Sequence, residues 1–428
     1  METVQPRSGS GAANFLAGKA AAAVNADEVV RLTRELVRIP SVYRPDGPAG
    51  NETAVASYLA GHLSRLGFRV SVQEAAPGRP NVIADWTSGR WGRGLILEGH
   101  TDVVTEGDRS AWSHPPFDAE VSDGRIYGRG AADMKGGLAA AVCALDAVRR
   151  AAPDLPGRVR IAAVADEEGM MLGIKSFIRD GHAQGFDGAI VCEPEENEIC
   201  LRQKGAMRVL VSFTGKMAHG AMPYAGVNPI PAAARFVTLL AEEDRRQQEG
   251  HERDPYLGLP HITPTTIRAP AHGEPQFNVM AGEARVTVDV RTIPGQDHAD
   301  LHSAICDLAN AAQAGDPCVR VTVELVEDRP WTETPPWDPL VRAIERAFPE
   351  SLGREPRYGG VPGSTDGTFL HAWARIPVVT IGPGNRQIPH QVDEYVEVGE
   401  LVEAARLYAA AIVYFLGEEA APNGTRRC

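Results

Sequence analysis

Short apolar segments alternate with segments of helical periodicity over most of this 428-residue chain. Residues 95–97, 158–165 and 188–191 are apolar runs of the kind that form buried strands. Residues 26–39 and 136–149 are helical segments that flank them. Because strands covered by helices on both faces have no polar face, this alternation predicts an α/β fold with a mixed sheet covered by helices.

The pattern changes about half-way along the chain and later resumes. The intervening segment combines two helical segments with strands of alternating apolar residues, such as residues 285–291, and its ~120 residues suffice for a separate α+β unit. We therefore predict three parts: a flexible N-terminal arm (residues 1–25), a larger domain (residues 26–205 and 329–428) and a smaller domain inserted into it (residues 206–328).

Composition restricts the class of protein further. The chain carries 43 Lys and Arg against 56 Asp and Glu, a net charge of −13 without a basic run, which argues against nucleic acid as a partner. Its six cysteines form no CxxC pair, which favours reduced thiols. No stretch approaches the ~20 apolar residues of a membrane span, and the alanine-rich start, interrupted by Lys19, lacks the basic region of a signal peptide. These features predict a cytoplasmic enzyme with no membrane partner.

Polar residues follow the predicted strands where each strand ends. They are His100 and Asp102 after residues 95–97, Glu167 and Glu168 after residues 158–165, Glu193 after residues 188–191, and His390 after residues 378–381. Ligand sites of open α/β sheets lie beyond the carboxyl ends of the strands, so these side chains should converge. Two histidines and several carboxylates, with no thiolate, suit zinc, manganese or cobalt. Considered singly, His390 could be an ordinary loop histidine, Glu167–Glu168 a solvated turn, and Asp133 a helix N-cap.

Five segments resemble, in order and in spacing, the motifs of the metallopeptidase family that includes acetylornithine deacetylase, succinyl-diaminopimelate desuccinylase, carboxypeptidase G and aminoacylase-1. They are GHTDVV at residues 99–104, YGRGAADMKGG at 127–137, DEEG at 166–169, CEP at 192–194 and PHQVDE at 389–394. The resemblance extends over about residues 27–416 and includes the inserted domain. Small departures, such as Asp393 where asparagine is common, remove no expected ligand.

The resemblance implies a centre for one or two divalent metal ions, which would be zinc, manganese or cobalt. The expected ligands are Asp133 for both ions, His100 and Glu193 for one, and Glu168 and His390 for the other. Asp102 would accept the second ring N–H of His100 and hold its orientation. The peptide bond after the bridging aspartate is often cis in this family.

By the same resemblance, Glu167 would act as a general base. It would take a proton from metal-activated water, which attacks an amide carbonyl, and return that proton to the leaving nitrogen. The implied function is hydrolysis of the amide bond of an N-acyl amino acid or small peptide. Family relatives also include an aminohydrolase that releases ammonia from the activated aromatic amine 5-nitroanthranilate, and the motifs leave this alternative open. A non-catalytic scaffold would need a lost base or ligand, and none is missing here.

The inserted domain resembles the family's dimerisation or lid domain. The sequence KMAHGAMP at residues 216–223 is similar to the segment whose histidine, here His219, reaches a neighbouring subunit's site and donates to the oxyanion. This implies a homodimer or a larger even oligomer, while a monomer in which His219 caps a turn stays open. The positions that match family residues near the substrate are Asn278, Arg291, Gly363 and Gly384. Arg291 would clamp a carboxylate of a small-molecule substrate, unless it is a solvated charge at a strand end.

Overall fold

The computed structural model describes residues 9–44 and 51–417 of the chain. The chain divides into two compact units, which we call the first unit and the second unit. The first comprises Met1–Leu201, Glu333–Gly360 and Thr365–Cys428, and the second comprises Arg202–Thr332 and Val361–Ser364. The second unit is therefore formed mainly by one segment inserted into the first.

The elements are numbered in chain order. In the described residues the α-helices are α1 (Gly9–Ala22), α2 (Ala26–Val37), α3 (Thr53–Arg65), α4 (Gly136–Ala151), α5 (Leu172–Arg179), α6 (Ile230–Glu249), α7 (His298–Gln313), α8 (Pro339–Leu352), α9 (Gly367–Ala372) and α10 (Val398–Gly417). The strands are β1 (Arg69–Ala76), β2 (Arg79–Thr87), β3 (Gly94–His100), β4 (Glu120–Ser122), β5 (Arg125–Tyr127), β6 (Arg158–Val164), β7 (Gly188–Val191), β8 (Ile199–Gln203), β9 (Gly205–Thr214), β10 (Ala218–His219), β11 (His261–Arg268), β12 (Val279–Met280), β13 (Glu283–Thr292), β14 (Arg320–Arg329), β15 (Thr332–Glu333), β16 (Tyr358–Val361), β17 (Val378–Thr380) and β18 (Tyr395–Glu397). None of these helices is long and apolar enough to cross a membrane.

The first unit is built on a mixed sheet with the strand order β1-β2-β6-β3-β7-β17-β8. The neighbours β6, β3, β7 and β17 run parallel, whereas β1, β2 and β8 join antiparallel. Every residue of β3 is buried. Leu95 and Leu97 pack in a hydrophobic cluster with α4 and α10, and Ile96 packs in another with α5 and α9. Helices thus cover both faces, which confirms the predicted α/β fold with a mixed sheet.

The N-terminal region differs from the flexible arm predicted for residues 1–25. Gly9–Ala22 form α1, which contacts α4, α8 and α10. Ala17, Ala20 and Ala21 of this helix are buried in the main hydrophobic cluster. The prediction was wrong here because α1 is alanine-rich and has almost no amphipathic pattern, so its stability comes from packing rather than from a feature visible in the sequence. Residues 1–8 lie outside the described residues.

The second unit contains a four-stranded antiparallel sheet with the order β11-β13-β9-β14. Alternate residues of β13 are buried, as expected for a strand with one face against helices. Val286 and Val288 on that face pack with Phe236 of α6 and Ile305 of α7. A separate two-stranded ribbon, β10 with β12, pairs His219 with Val279.

Candidate metal centre

Three of the expected metal ligands lie where parallel strands end. His100 is the last residue of β3, Glu168 lies in the turn after β6, and Glu193 lies in the loop after β7. Because these strands run in the same direction, their carboxyl ends share one edge of the sheet, and this brings the three side chains close together. The other two expected ligands are not at strand ends, because Asp133 lies in a π-helical turn before α4 and His390 lies in a loop after β17.

The ligand atoms form two groups that share Asp133. In the first group, His100, Asp133 and Glu193 each offer an atom within 4.8 Å of the others, and in the second group Asp133, Glu168 and His390 do the same. Oδ1 of Asp133 lies 3.0 Å from Nε2 of His100, and its Oδ2 lies 3.3 Å from Nε2 of His390. The two oxygens of one carboxylate therefore face two different histidines, as a ligand that bridges two ions requires.

The electrostatics of these groups fit a cation. Burial raises the pKa of Glu193 well above its ordinary value, and the charge of Asp133 raises it further. The pKa of Glu168 is raised for the same two reasons. Burial opposes the charged form of His100, but its hydrogen bond to Asp133 and the charges of Glu193 and Asp102 outweigh burial and raise its pKa well above the usual value. A positive ion would stabilise such crowded carboxylates, and imidazole with carboxylate donors suits zinc, manganese or cobalt, so these residues fit a divalent metal.

The turn that carries Asp133 is held by Glu394, a residue to which the sequence assigned no role. Ala131–Lys135 form a π-helical turn, and the Asp133–Met134 peptide bond is cis, as the family resemblance implied. One carboxylate oxygen of the buried Glu394 accepts three backbone N–H groups at 3.0 to 3.1 Å, those of Gly130, Ala132 and Asp133. Its other oxygen accepts a hydrogen bond from the guanidinium of Arg129. The backbone of Asp133 is thus held in place by Glu394, which forms a buried ion pair with Arg129.

Asp102 orients its neighbours in a different way from the one expected. Nδ1 of His100 donates to the main-chain oxygen of Asp102 at 2.8 Å, while the nearest carboxylate oxygen of Asp102 is 3.7 Å away. The carboxylate instead accepts the backbone N–H groups of Glu167 and Glu168, both at 3.1 Å. The expected acceptor is corrected accordingly: the ring donates to the main-chain carbonyl, and the carboxylate accepts two amide N–H groups. Nε2 of His100 still faces Asp133, and the carboxylate positions the turn that contains Glu167.

The turn that contains Glu167 is also held by a buried ion network around Asp166, which was not predicted from the sequence. One carboxylate oxygen of Asp166 accepts the backbone N–H groups of Met170 and Leu172 at 3.1 and 3.2 Å. The other lies 2.8 Å from Nη1 of Arg79, which also donates to Glu52 at 2.6 Å. Arg79 lies on β2, far from Asp166 in the chain, so no local pattern indicates the pairing.

Glu98 is a further acidic residue that the sequence reasoning overlooked. It lies on β3 two residues before His100, only 1% of it is exposed, and neither of its carboxylate oxygens has a hydrogen-bond partner among the described residues. Burial raises its pKa to about 8, against the opposing charge of His100. Burial thus favours the uncharged form of this carboxyl group beside the ligands. An acid within an otherwise apolar strand was the signal that could have revealed it.

Gly384, expected near the substrate, lies in the first unit beside the turn that carries Asp133. Its φ of +112° falls in the left-handed region that glycine adopts readily, and a Cβ there would approach Cβ of Ala132 to 3.2 Å. Its N–H donates to Glu400 at 2.9 Å. The backbone of Gly384, and not a side chain, therefore lies against Ala132, the residue before Asp133.

The remaining expected site residues, His219, Asn278, Arg291 and Gly363, belong to the second unit. His219 is exposed, and its Nδ1 accepts the backbone N–H of Ala221 at 3.0 Å. The neutral ring therefore carries its proton on Nε2 and offers a hydrogen-bond donor there. The main-chain oxygen of Asn278 accepts the N–H of Gly220 at 2.7 Å, which places Asn278 beside His219 on the same ribbon.

Arg291 has a fixed partner within the second unit. Its Nε and Nη2 donate to the two carboxylate oxygens of Asp289 at 2.6 and 3.2 Å. Because a guanidinium has five N–H groups, this pairing leaves donors for a further acceptor. A substrate carboxylate would therefore bind the Arg291 guanidinium when Asp289 already partly neutralises its positive charge.

Comparisons with known proteins bear on the family and on the fold. The model of Peptidase family M20/M25/M40 matches residues 96–414. The succinyl-diaminopimelate desuccinylase of Roseobacter denitrificans is 32% identical over 396 residues, which cover 90% of this chain and 98% of the relative. An M20 family metallo-carboxypeptidase from Sulfolobus solfataricus aligns with a TM-score of 0.74 at 19% identity, over 91% of this chain and 99% of that one. A dinuclear metal-binding peptidase of the M20 family from Bacillus subtilis aligns with a TM-score of 0.68 at 16% identity, over 91% and 98% of the two chains. Both structures share the fold described above.

Proposed function

Because this chain belongs to peptidase family M20/M25/M40 and is therefore a metal-dependent hydrolase of carbon–nitrogen bonds, we propose that it cleaves the amide bond of an N-acyl amino acid or a small peptide. The observation that supports this most is the pair of ligand groups that share Asp133, with Glu167 next to the ligand Glu168. The R. denitrificans relative is named for removing a succinyl group from succinyl-diaminopimelate, which favours an acylated amino acid as the substrate class.

The proposed metal ligands are the five residues of the two groups. His100 and Glu193 would hold one divalent ion, Glu168 and His390 the other, and Asp133 both. A divalent cation supplies Lewis acidity, which polarises a carbonyl group and makes water more acidic. Asp102 and Glu394 act on these ligands through hydrogen bonds, since Asp102 orients the ring of His100 and Glu394 holds the backbone of Asp133.

Glu167 is the proposed general base. Asp102 holds its backbone N–H, and Asp166 holds the following turn, so the backbone that carries its carboxylate is fixed next to Glu168. The charge of Glu167 is one of those that raise the pKa of Glu193, which indicates that the two carboxylates are close. From there Glu167 would take a proton from water at a carboxylate oxygen. It would then deliver the proton to the leaving nitrogen, which would otherwise depart as an unstable amide anion.

The substrate that these residues favour is small and carries a carboxylate. We propose that Arg291 binds this group with the N–H donors that Asp289 does not use. Asn278, Gly363 and Gly384 are the other residues proposed to contact the substrate, and at the two glycines the absence of a side chain would let a substrate approach the backbone closely.

We further propose that the second unit is a dimerisation and lid domain whose His219 serves the partner subunit's site in a homodimer or larger even oligomer. Its exposed Nε2–H is a donor suited to an oxyanion. A cavity of about 380 Å³ adjoins Gly220, and large apolar side chains nearby in the sequence, Tyr224 and Phe277, are exposed. Such surface often marks an interface. The outer strands β11 and β14 of the second-unit sheet also offer edges that pairing with a second copy would cover.

A substrate screen tests the proposed reaction. The protein, loaded with zinc, manganese or cobalt, is incubated with N-succinyl, N-acetyl and N-benzoyl amino acids, with dipeptides, and with aminobenzoates that include 5-nitroanthranilate. We expect at least one acylated amino acid or dipeptide to yield equimolar amine and carboxylic acid, both quantified by mass spectrometry, and the Glu167→Gln variant is the matched control.

Ammonia released from an aminobenzoate, with no cleavage of any amide, would contradict the amide proposal and support the arylamine alternative. No observation on the described residues favours that alternative over amide hydrolysis, so it enters only as an outcome of the screen.

A further inference from the structure

We propose that Arg386 is a positioning residue that fixes the loop of one metal ligand against the loop of another. The two segments are the Glu193 loop (residues 192–198), which follows β7, and the His390 loop (residues 381–391), which follows β17. The inference rests on the proposed function because it assumes that Glu193 and His390 bind metal. It adds to that function a residue that holds these two ligands in position relative to each other.

The main chains of the two loops are joined near their origins. Because β7 and β17 are parallel neighbours, both loops leave the sheet at the same edge. The main-chain oxygen of Gly382 accepts the N–H groups of Glu195 and Asn197 at 3.1 and 2.8 Å, and that of Gly384 accepts the N–H of Glu196 at 2.9 Å. A Cβ on Gly382 would lie 2.5 Å from the main-chain oxygens of Cys192 and Glu193, so the contact leaves no room for a side chain.

Beyond Gly384 the two loops are joined by side chains rather than by main chains, and Arg386 lies at the centre of these contacts. Its Nη2 donates to Glu198 at 2.6 Å, and its Nε lies 3.3 Å from a carboxylate oxygen of Glu195 and 3.7 Å from one of Glu196. Asn385 adds a hydrogen bond to Glu196 at 3.1 Å. Three carboxylates from the Glu193 loop therefore converge on one guanidinium from the His390 loop.

The charge balance makes this guanidinium hard to replace. Glu195 is almost fully buried and Glu198 largely so, and the two would repel each other and Glu196 without a cation between them. Arg357 also approaches the group, with its Nε 3.5 Å from Glu198, but its side chain is 60% exposed and belongs to neither loop. Removing Arg386 would leave the acids to separate, and the part of the His390 loop beyond Gly384 would lose its main side-chain attachment to the Glu193 loop.

The position of His390 depends on this anchor. The imidazole side chain is 54% exposed, so burial does little to hold it. Between Asn385 and His390 the chain is folded on itself, because the N–H groups of Gln387 and Ile388 donate to the side chain and the main chain of Asn385 at 2.8 and 3.0 Å. A displacement of Arg386 would therefore also displace His390. Glu193, by contrast, is buried directly after β7.

The test measures Mn²⁺ binding to metal-free, full-length protein by isothermal titration calorimetry, which needs no substrate. The variants are Arg386→Met and, as the matched control, Arg357→Met, which removes an arginine from the same acids without touching the His390 loop. Outer contacts of metal ligands usually contribute about 10–100-fold in affinity. We expect Arg386→Met to weaken the binding of one of the two ions by about tenfold or more, while the affinity for the other ion changes less than threefold. Arg357→Met should change neither affinity by more than about twofold.

Arg386→Gln, which keeps a donor for Glu198, is measured as well. If circular dichroism shows that Arg386→Met does not fold, the glutamine variant is used for the test instead. We then expect the affinity for one of the two ions to fall at least threefold. Unchanged affinities, equal weakening of both ions, or an equal effect of Arg357→Met would overturn the role assigned to Arg386. Wild-type protein that binds no metal would overturn the proposed metal centre together with this inference, so the two failures are distinguishable.

Discussion

In the Glu167→Gln variant we expect turnover to fall by about 10²–10⁴-fold while the metal content and melting temperature stay those of the wild type. Glutamine has the shape of glutamate but cannot accept and return a proton at neutral pH. The turn that carries residue 167 is held by Asp102 and Asp166 through backbone N–H groups, so the substitution leaves these bonds in place. The measurement combines steady-state kinetics with elemental analysis of the same samples.

The neighbouring variant Glu168→Gln separates the two roles. Oε1 of Glu168 lies 3.2 Å from Nε2 of His390 within the second ligand group, so we expect this variant to lose metal. Loss of metal from Glu167→Gln, with normal metal content in Glu168→Gln, would show that the assignments of base and ligand are reversed.

Removal of the imidazole in His219→Ala should lower turnover by about 10²–10³-fold, the usual effect of losing one oxyanion donor. If His219 serves the partner subunit's site, activity should reappear when His219→Ala subunits are mixed with Glu167→Ala subunits after dissociation and reassembly. One site of each mixed dimer would then combine an intact Glu167 with an intact partner histidine. The readout is turnover per verified heterodimer, compared with each parent reassembled alone.

Failure to recover activity in verified heterodimers would mean that His219 serves its own chain or no site. A monomer at working concentrations, measured by light scattering, would contradict the same proposal by an independent route.

The sheet and the ligands that follow its strands could be anticipated because both depend on local patterns. The apolar run at residues 95–97, which lies within β3, predicts a strand covered on both faces, and parallel neighbours place His100, Glu168 and Glu193 at one edge. Asp133, which lies in a π-helical turn, and His390, which lies in a loop, were identified by motif rather than by periodicity.

What the sequence did not reveal depends on contacts between distant residues. The bond from Arg129 to Glu394 spans 265 positions, and neither residue stands out from other charged residues near it. The acceptor of the His100 ring could not be foreseen, because the orientation of the Asp102 carboxylate depends on its contact with two amides of a turn some 65 positions away. Helix α1 was missed since its alanines have no periodic pattern and are ordered only by packing on α4, α8 and α10.

The most direct test of this account is a metal titration of protein made rigorously metal-free with a chelator and checked by elemental analysis. Two groups of proposed ligands share Asp133, and the proposed reaction needs the Lewis acid that they would hold. We predict that the metal-free protein hydrolyses no amide substrate, and that activity returns with added zinc, manganese or cobalt and saturates at no more than two ions per chain. Full activity in protein verified to contain no metal would contradict the account.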